Sequence, residues 1–371
     1  MNEAETRAED MDPAFKALGR GILQGSRDRR EYLIAPHHGM SFAIRSGHIG
    51  RLITSFLLLV LTSGCFHFHL KPSDARQQPL SDALHKELEY TPAPIKSSEE
   101  RLESETNYPV VLVKLTLPVA DTATNKLVEL VCYNPPAKSP LPVILIFPIS
   151  GGDYPLERFF ARYFYENGIA AIIVRREEGL KPKTAELVNV AIRQSLLDYR
   201  RVLDWVYTRK EYDPGKLGAL GTSLGSLKAS LLMSVDPRIK AAVCGLTGGN
   251  LPYILAYSKE GAWHEKGLSR IRREILKERG LTREQWYKEL QGTIKWDPNI
   301  VGASIDRNNV LLIIGLLDTI MPTRTGRELV KTMNYPERIY VLGGHYSSVV
   351  YLYYIRSQAL KFLRKHLNIP N

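Results

Sequence analysis

The chain has 371 residues, of which 44% are apolar and 24% charged, with three cysteines. This balance excludes collagen-like and wholly disordered chains, and Cys65, Cys132 and Cys244 are too few and too far apart for a disulfide framework or a zinc site. The net charge of +11 lies almost wholly beyond residue 64, before which 8 basic residues nearly balance 7 acidic ones. It favours anionic surroundings without reaching the density of a nucleic-acid binder.

Residues 52–61, LITSFLLLVL, are a mainly apolar run of ten, far short of the roughly 20 residues of a membrane-spanning helix and suited to the core of a signal peptide. Arg45 and Arg51 form its basic flank, and the small residues Thr62, Ser63 and Gly64 lead to Cys65. The ending LTSGC resembles the lipobox of bacterial lipoprotein signals, which implies cleavage after Gly64 and lipid attachment at Cys65. A start at Met40 gives this signal the ordinary length of 25 residues, so 40–64 are expected to be the signal peptide and 1–39 an upstream artefact or leader. By the same resemblance, Phe66 after the cysteine favours an outer membrane if the source is Gram-negative.

Residues 65–107 hold Pro72, Pro79, Pro92, Pro94 and the run SSEE at 97–100, with little apolar periodicity, and are expected to be a linker. A flexible chain of that length spans about 35–40 Å and would hold a domain clear of a bilayer. His67 and His69 lack further ligands nearby and are assigned no role.

From residue 108 strands and helices alternate. Strands are expected at 108–119, 126–133, 141–147, 169–174, 217–220, 239–246, 310–316 and 338–342, and helices at 156–167, 184–208, 224–235, 324–334 and 346–367. Val188, Ile192, Leu196, Tyr199, Leu203 and Val206 recur at three- and four-residue steps, the apolar face of a helix. The pattern predicts one α/β domain over 108–371, with a mainly parallel central sheet and helices on both faces.

Gly221-Thr222-Ser223-Leu224-Gly225 joins a strand to a helix, where a sharp turn would present the Ser223 hydroxyl above the sheet. The flanking glycines suit a turn with no room for side chains, and no Gly-Lys-Ser/Thr follows to make a phosphate loop. A serine hydroxyl needs a base and a carboxylate to orient that base. Asp318 and His345 each follow a strand, at the end where an α/β sheet builds its sites. Asp297 and Asp306 precede their strand and are expected at its far end, and His264 and His366 follow no strand.

Residues 108–371, with Ser223, Asp318 and His345 in that order, now resemble the α/β-hydrolase fold family, and the segment from KWDP at 295–298 to GLLDTIMP resembles esterases and acyl-peptidase-like members. The resemblance implies a serine hydrolase acting on an ester or acyl substrate, with an oxyanion hole made by the backbone amides of Leu224 and of Ser150 or Ile149, since Pro148-Ile149-Ser150-Gly151-Gly152 stands where relatives often carry His-Gly. It implies no metal or organic cofactor, and no nucleic-acid partner is expected. A peptidase or acyltransferase with the same triad, and a catalytically silent binding protein on the same fold, stay open.

The insertion at 250–300 is expected to be a helical cap. It carries Tyr253, Tyr257, Trp263, Trp286, Tyr287 and Trp296, read mainly as packing, and Arg270, Arg272, Arg273, Lys277 and Arg279, read as a solvated face. Cys132 and Cys244 fall within strands and are expected to be buried.

Overall fold

The computed structural model describes residues 67–71, 78–92, 94–102, 107–120, 122–151, 153–176, 183–259 and 268–370. Met40, the apolar run at 52–61, Cys65, Gly152, Trp263 and His264 lie outside them. The chain begins with β1 (His67–Leu70), α1 (Asp82–Glu87), β2 (Lys96–Leu102), β3 (Val110–Pro118), β4 (Asn125–Tyr133) and β5 (Leu141–Phe147). It continues through α2 (Pro155–Glu166), β6 (Ala170–Val174), α3 (Ala185–Thr208), β7 (Tyr212–Thr222), α4 (Leu224–Val235) and β8 (Ala241–Gly245). Four helices follow, α5 (Leu251–Tyr257), α6 (Leu268–Arg279), α7 (Arg283–Thr293) and α8 (Pro298–Val301), and then β9 (Val310–Gly315), α9 (Thr323–Thr332), β10 (Glu337–Val341) and α10 (Leu352–His366).

All ten strands form one sheet in the order β1-β10-β9-β8-β7-β5-β6-β4-β3-β2. The run from β10 to β6 is parallel, whereas β4, β3 and β2 at one side and β1 at the other pair antiparallel. Alternation along β5 shows how the sheet is covered. Val143, Leu145 and Phe147 pack with Tyr199 and Leu203 of α3, Leu232 of α4 and Leu329 of α9. Ile144 and Ile146 pack on the other face with Phe160 and Phe164 of α2 and Leu360 and Leu363 of α10. The mainly parallel sheet with helices on both faces is therefore as expected. Cys132 and Cys244 are buried within it, and burial pushes both thiols up to about 12.

Two expected elements differ. β7 begins at Tyr212 rather than at residue 217: Tyr212 already pairs with Leu141, and the strand bulges over Asp213-Pro214-Gly215 before pairing resumes between Leu217 and Val143. The last helix starts at Leu352, after a 3₁₀ turn over Ser347–Tyr351.

The larger correction concerns 65–107, much of which belongs to the fold rather than to a linker. β1 and β2 add edge strands at opposite ends of the sheet. Between them Leu80 and Leu88 are buried with Leu196, Leu197, Leu231 and Trp296. Arg193 Nε donates to Glu87 O at 2.7 Å, and Tyr90 OH donates to Asp204 Oδ2 at 2.7 Å. A few apolar residues spaced between prolines leave no periodic trace, yet burying two leucines stabilises the fold by about 1.5–3 kcal/mol each.

The cap helices α5, α6 and α7 share a cluster built from Ile254, Ile275, Trp286 and Leu290, which reaches Val188 of α3, Leu227 of α4 and Met321. Trp286 and Trp296 are buried, and Tyr253, Tyr257 and Tyr287 contact one another at 4.9–6.2 Å between ring centres, so these aromatics pack. Arg272 departs from the expected solvated face: it is buried and donates to Leu255 O at 3.2 Å and Ser258 O at 3.0 Å, tying α6 to the end of α5. Among the described residues no helix is long and apolar enough to cross a membrane.

Candidate active site

Ser223 occupies the single residue between β7 and α4, with φ 56° and ψ −121°. That conformation is costly for a residue with a side chain, and the sequence around it shows what enforces it. A Cβ on Gly221 would lie 2.0 Å from Gly225 O, and one on Gly225 would lie 1.9 Å from Phe147 O. Strand, turn and helix thus approach so closely that only glycine fits on either side. Ser223 N donates to Gly245 O at 2.9 Å, which holds the turn against the end of β8.

Asp318 and His345 follow β9 and β10, at the same carboxyl-terminal edge of the parallel strands as Ser223. Asp318 is buried; its Oδ1 accepts from the amides of Ile320 and Met321, both at 2.9 Å, and its Oδ2 meets His345 Nδ1 at 2.8 Å. A carboxylate only accepts, so Nδ1 is the donor and Nε2 is left as the basic nitrogen. The acid and the imidazole are therefore paired as the sequence predicts. A hydrogen bond from Ser223 Oγ to His345 is not among those the structure makes; such bonds often tighten only with substrate bound.

The rival residues have other work. Asp297 is not at the far end of β9: it is buried against the segment leaving β8, accepting from the amides of Asn250 at 2.9 Å, Leu251 at 2.6 Å and Asn299 at 2.7 Å. The long insertion brings it back there, where it caps the starts of α5 and α8. Burial raises its carboxyl above the usual range, against the pull of those three amides. Asp306 does lie ahead of β9, capping Asn308 N at 3.0 Å, and His366 meets Asn309 Oδ1 at 3.2 Å at the same end.

The loop after β5 carries a detail that motif reading missed. Glu157, in the first turn of α2, is buried, and its Oε1 accepts from Ile149 N at 2.8 Å. Arg176 Nη1 donates to Ile149 O and to Gly151 O, each at 3.2 Å, while its guanidinium lies 4.2 Å from the Tyr154 ring centre. The amide of Ile149 is thus engaged with Glu157. Burial pushes the Glu157 carboxyl up, while the Ile149 amide, Arg176 and Arg158 oppose the shift. An acid one turn into the helix after a glycine-rich loop was the available signal.

A recess of about 640 Å³ lies at the opposite end of the strands, among Leu80, Met233, Asp236, Ile305 and His366.

Among solved structures, an acetyl xylan esterase from Paenibacillus sp. R4 is similar with a TM-score of 0.55 and 18% identity, over 80% of this chain and 97% of that one. Acetyl xylan esterase 1 from Thermoanaerobacterium sp. JW/SL YS485 is similar with a TM-score of 0.55 and 14% identity, over 75% of this chain and 89% of that one. At these identities the likeness is one of fold, and the fold is that of the α/β-hydrolases. No protein-family model and no curated protein sequence matches the chain.

Proposed function

We propose that the protein is a serine hydrolase that cleaves a carboxylic ester through an acyl-enzyme on Ser223. The observation that carries this reading is the Asp318–His345 pair at 2.8 Å, on the same edge of the sheet as the glycine-flanked Ser223 turn. In the reaction Ser223 Oγ attacks the ester carbonyl carbon as its proton passes to His345 Nε2. Asp318 keeps Nδ1 protonated and stabilises the imidazolium. The oxyanion is met by the amides of Leu224 and Ser150, donors whose directions are set before the substrate arrives. Collapse expels the alkoxide, which takes the proton from Nε2; water then attacks the acyl-enzyme by the same route in reverse. The two similar folds are named as acetyl xylan esterases, which makes small acyl esters the natural first probes.

A serine-directed fluorophosphonate is expected to label the wild type and not Ser223→Ala. Labelling that persists in the alanine variant would end this assignment.

The reading includes an address: export on the 40–64 signal and lipid attachment at Cys65 in a bacterial cell envelope, supported by the basic flank, the apolar run and LTSGC. Mass spectrometry of the N-terminal peptide from native membranes tests it. An unmodified Cys65 in a peptide continuous with residues before Met40 would overturn both lipidation and the proposed start.

A further inference from the structure

Strand β1 runs antiparallel to β10 with His67 opposite Val341 and Leu70 opposite Arg338. The start of β1 therefore lies where β10 ends and the loop to His345 begins, and the His67 ring sits 4.3 Å from that of Tyr354. Cys65 precedes His67 by two residues, so chain geometry keeps it within about 7 Å. A lipid carried there would be tied to the carboxyl-terminal edge of the sheet, without the long spacer that the sequence suggests.

That edge exposes large apolar side chains. Leu317 is 63% exposed, Leu342 46%, Val350 67% and Tyr353 68%. Leu317 follows β9 and the other three follow β10, and hydrogen bonds join these stretches: Leu317 N donates to Gly343 O at 3.0 Å, and Tyr351 OH donates to Leu342 O at 3.2 Å. Isolated exposed leucines need no explanation, whereas a cluster beside a candidate active site marks a contact surface. Arg356, stacked 4.5 Å from Tyr353 and 4.3 Å from Tyr163, sets a positive charge at its rim, which suits anionic headgroups.

We propose that this edge, centred on residues 342–353, rests on the bilayer that holds the Cys65 anchor, so that the Ser223 site faces the lipid interface. The proposal rests on the lipid-anchor reading. It fits substrates presented at a membrane surface.

The test uses full-length protein purified in detergent and reconstituted into vesicles of phosphatidylcholine and phosphatidylglycerol. An environment-sensitive fluorophore is attached at Val350→Cys and, as a control at the opposite end of the strands, at Lys240→Cys; Cys132 and Cys244 are buried. Brominated lipid is expected to quench the 350 probe by more than half and leave the 240 probe nearly unchanged. Equal quenching at both positions, or none at 350, overturns the proposal. A 350 probe shielded only as protein concentration rises would assign the surface to a second copy and overturn it too. Mass analysis of the same sample reports whether Cys65 carries lipid, and the proposal falls with the anchor if it does not. Fluorophosphonate labelling in detergent reports the hydrolase reading separately.

Discussion

Ser223 holds a backbone conformation that its own side chain disfavours, so the proposed catalytic role and stability oppose each other at one residue. Ser223→Gly is expected to be more stable than Ser223→Ala by about 1 kcal/mol in denaturant unfolding, because glycine relieves the positive φ that alanine retains. Both variants are expected to lose turnover. The two buried acids separate in the same manner. Asp318→Asn is expected to lower kcat by about four orders of magnitude with an unchanged melting temperature, since it removes the group that keeps the imidazole in its working tautomer. Asp297→Asn, which disturbs acceptors for three amides, is expected to lower the melting temperature and leave kcat near wild type. Glu157 acts on the loop that carries Ser150. Glu157→Leu frees the Ile149 amide and is expected to lower kcat about tenfold to a hundredfold with little change in KM, and Glu157→Gln, which still accepts from that amide, restores most of the loss. Its pH signature has a definite sign. The folded protein holds the Glu157 proton more tightly than the unfolded chain, so the Glu157 contribution to stability declines as pH rises above about 4.3 and levels off once the folded carboxyl has ionised. Glu157→Gln removes that contribution, which urea unfolding across about pH 4–8 measures.

At the scale of elements, the β7–α4 turn works only because two backbones nearly touch. Gly225→Ala places a methyl 1.9 Å from Phe147 O, and neither backbone has room to retreat within the sheet. The variant is expected to lose fluorophosphonate labelling and about 3 kcal/mol or more of stability by denaturant titration. This element was legible in advance, since strand, glycine-flanked serine and helix are contiguous in sequence. So were β5 and α3, whose apolar periods of continuous and 3.6-residue type match their burial on two faces and on one. β1 and β2 were not legible. As edge strands they are paired along one side only; HFHL alternates over just four residues, too short to stand out, and KSSEERL shows neither alternation nor a continuous apolar run. Their strand character comes from β10 and β3, which offer them free hydrogen-bonding edges.

For the whole molecule, the arrangement of the sheet gathers Ser223, Asp318, His345 and the start of β1 at one edge, which is where the proposed anchor would be tied. A chain beginning at His67 keeps β1 and the candidate site but lacks the proposed lipid anchor. Its kcat on a soluble short-acyl ester is expected to match that of the anchored protein, while its rate on an ester embedded in vesicles is expected to fall at least tenfold, because anchoring raises the local concentration of interface. Parallel rates of the two forms on vesicles would show that the anchor contributes nothing to substrate access.

The amino-acid sequence by itself determined the alternation of strands and helices from residue 108 onward, the Ser223 turn, and the pairing of Asp318 with His345, because each depends on contiguous residues or on the rule that sites form at the carboxyl ends of parallel strands. Only the tertiary structure decided what depends on long-range contact. It seats Asp297 on the amides of Asn250 and Leu251 and sets Glu157 against Ile149. It also buries Arg272 within the cap and places His67 beside the end of β10. Such contacts join residues whose separation along the chain carries no period, and their energy appears only when burial removes the competing water.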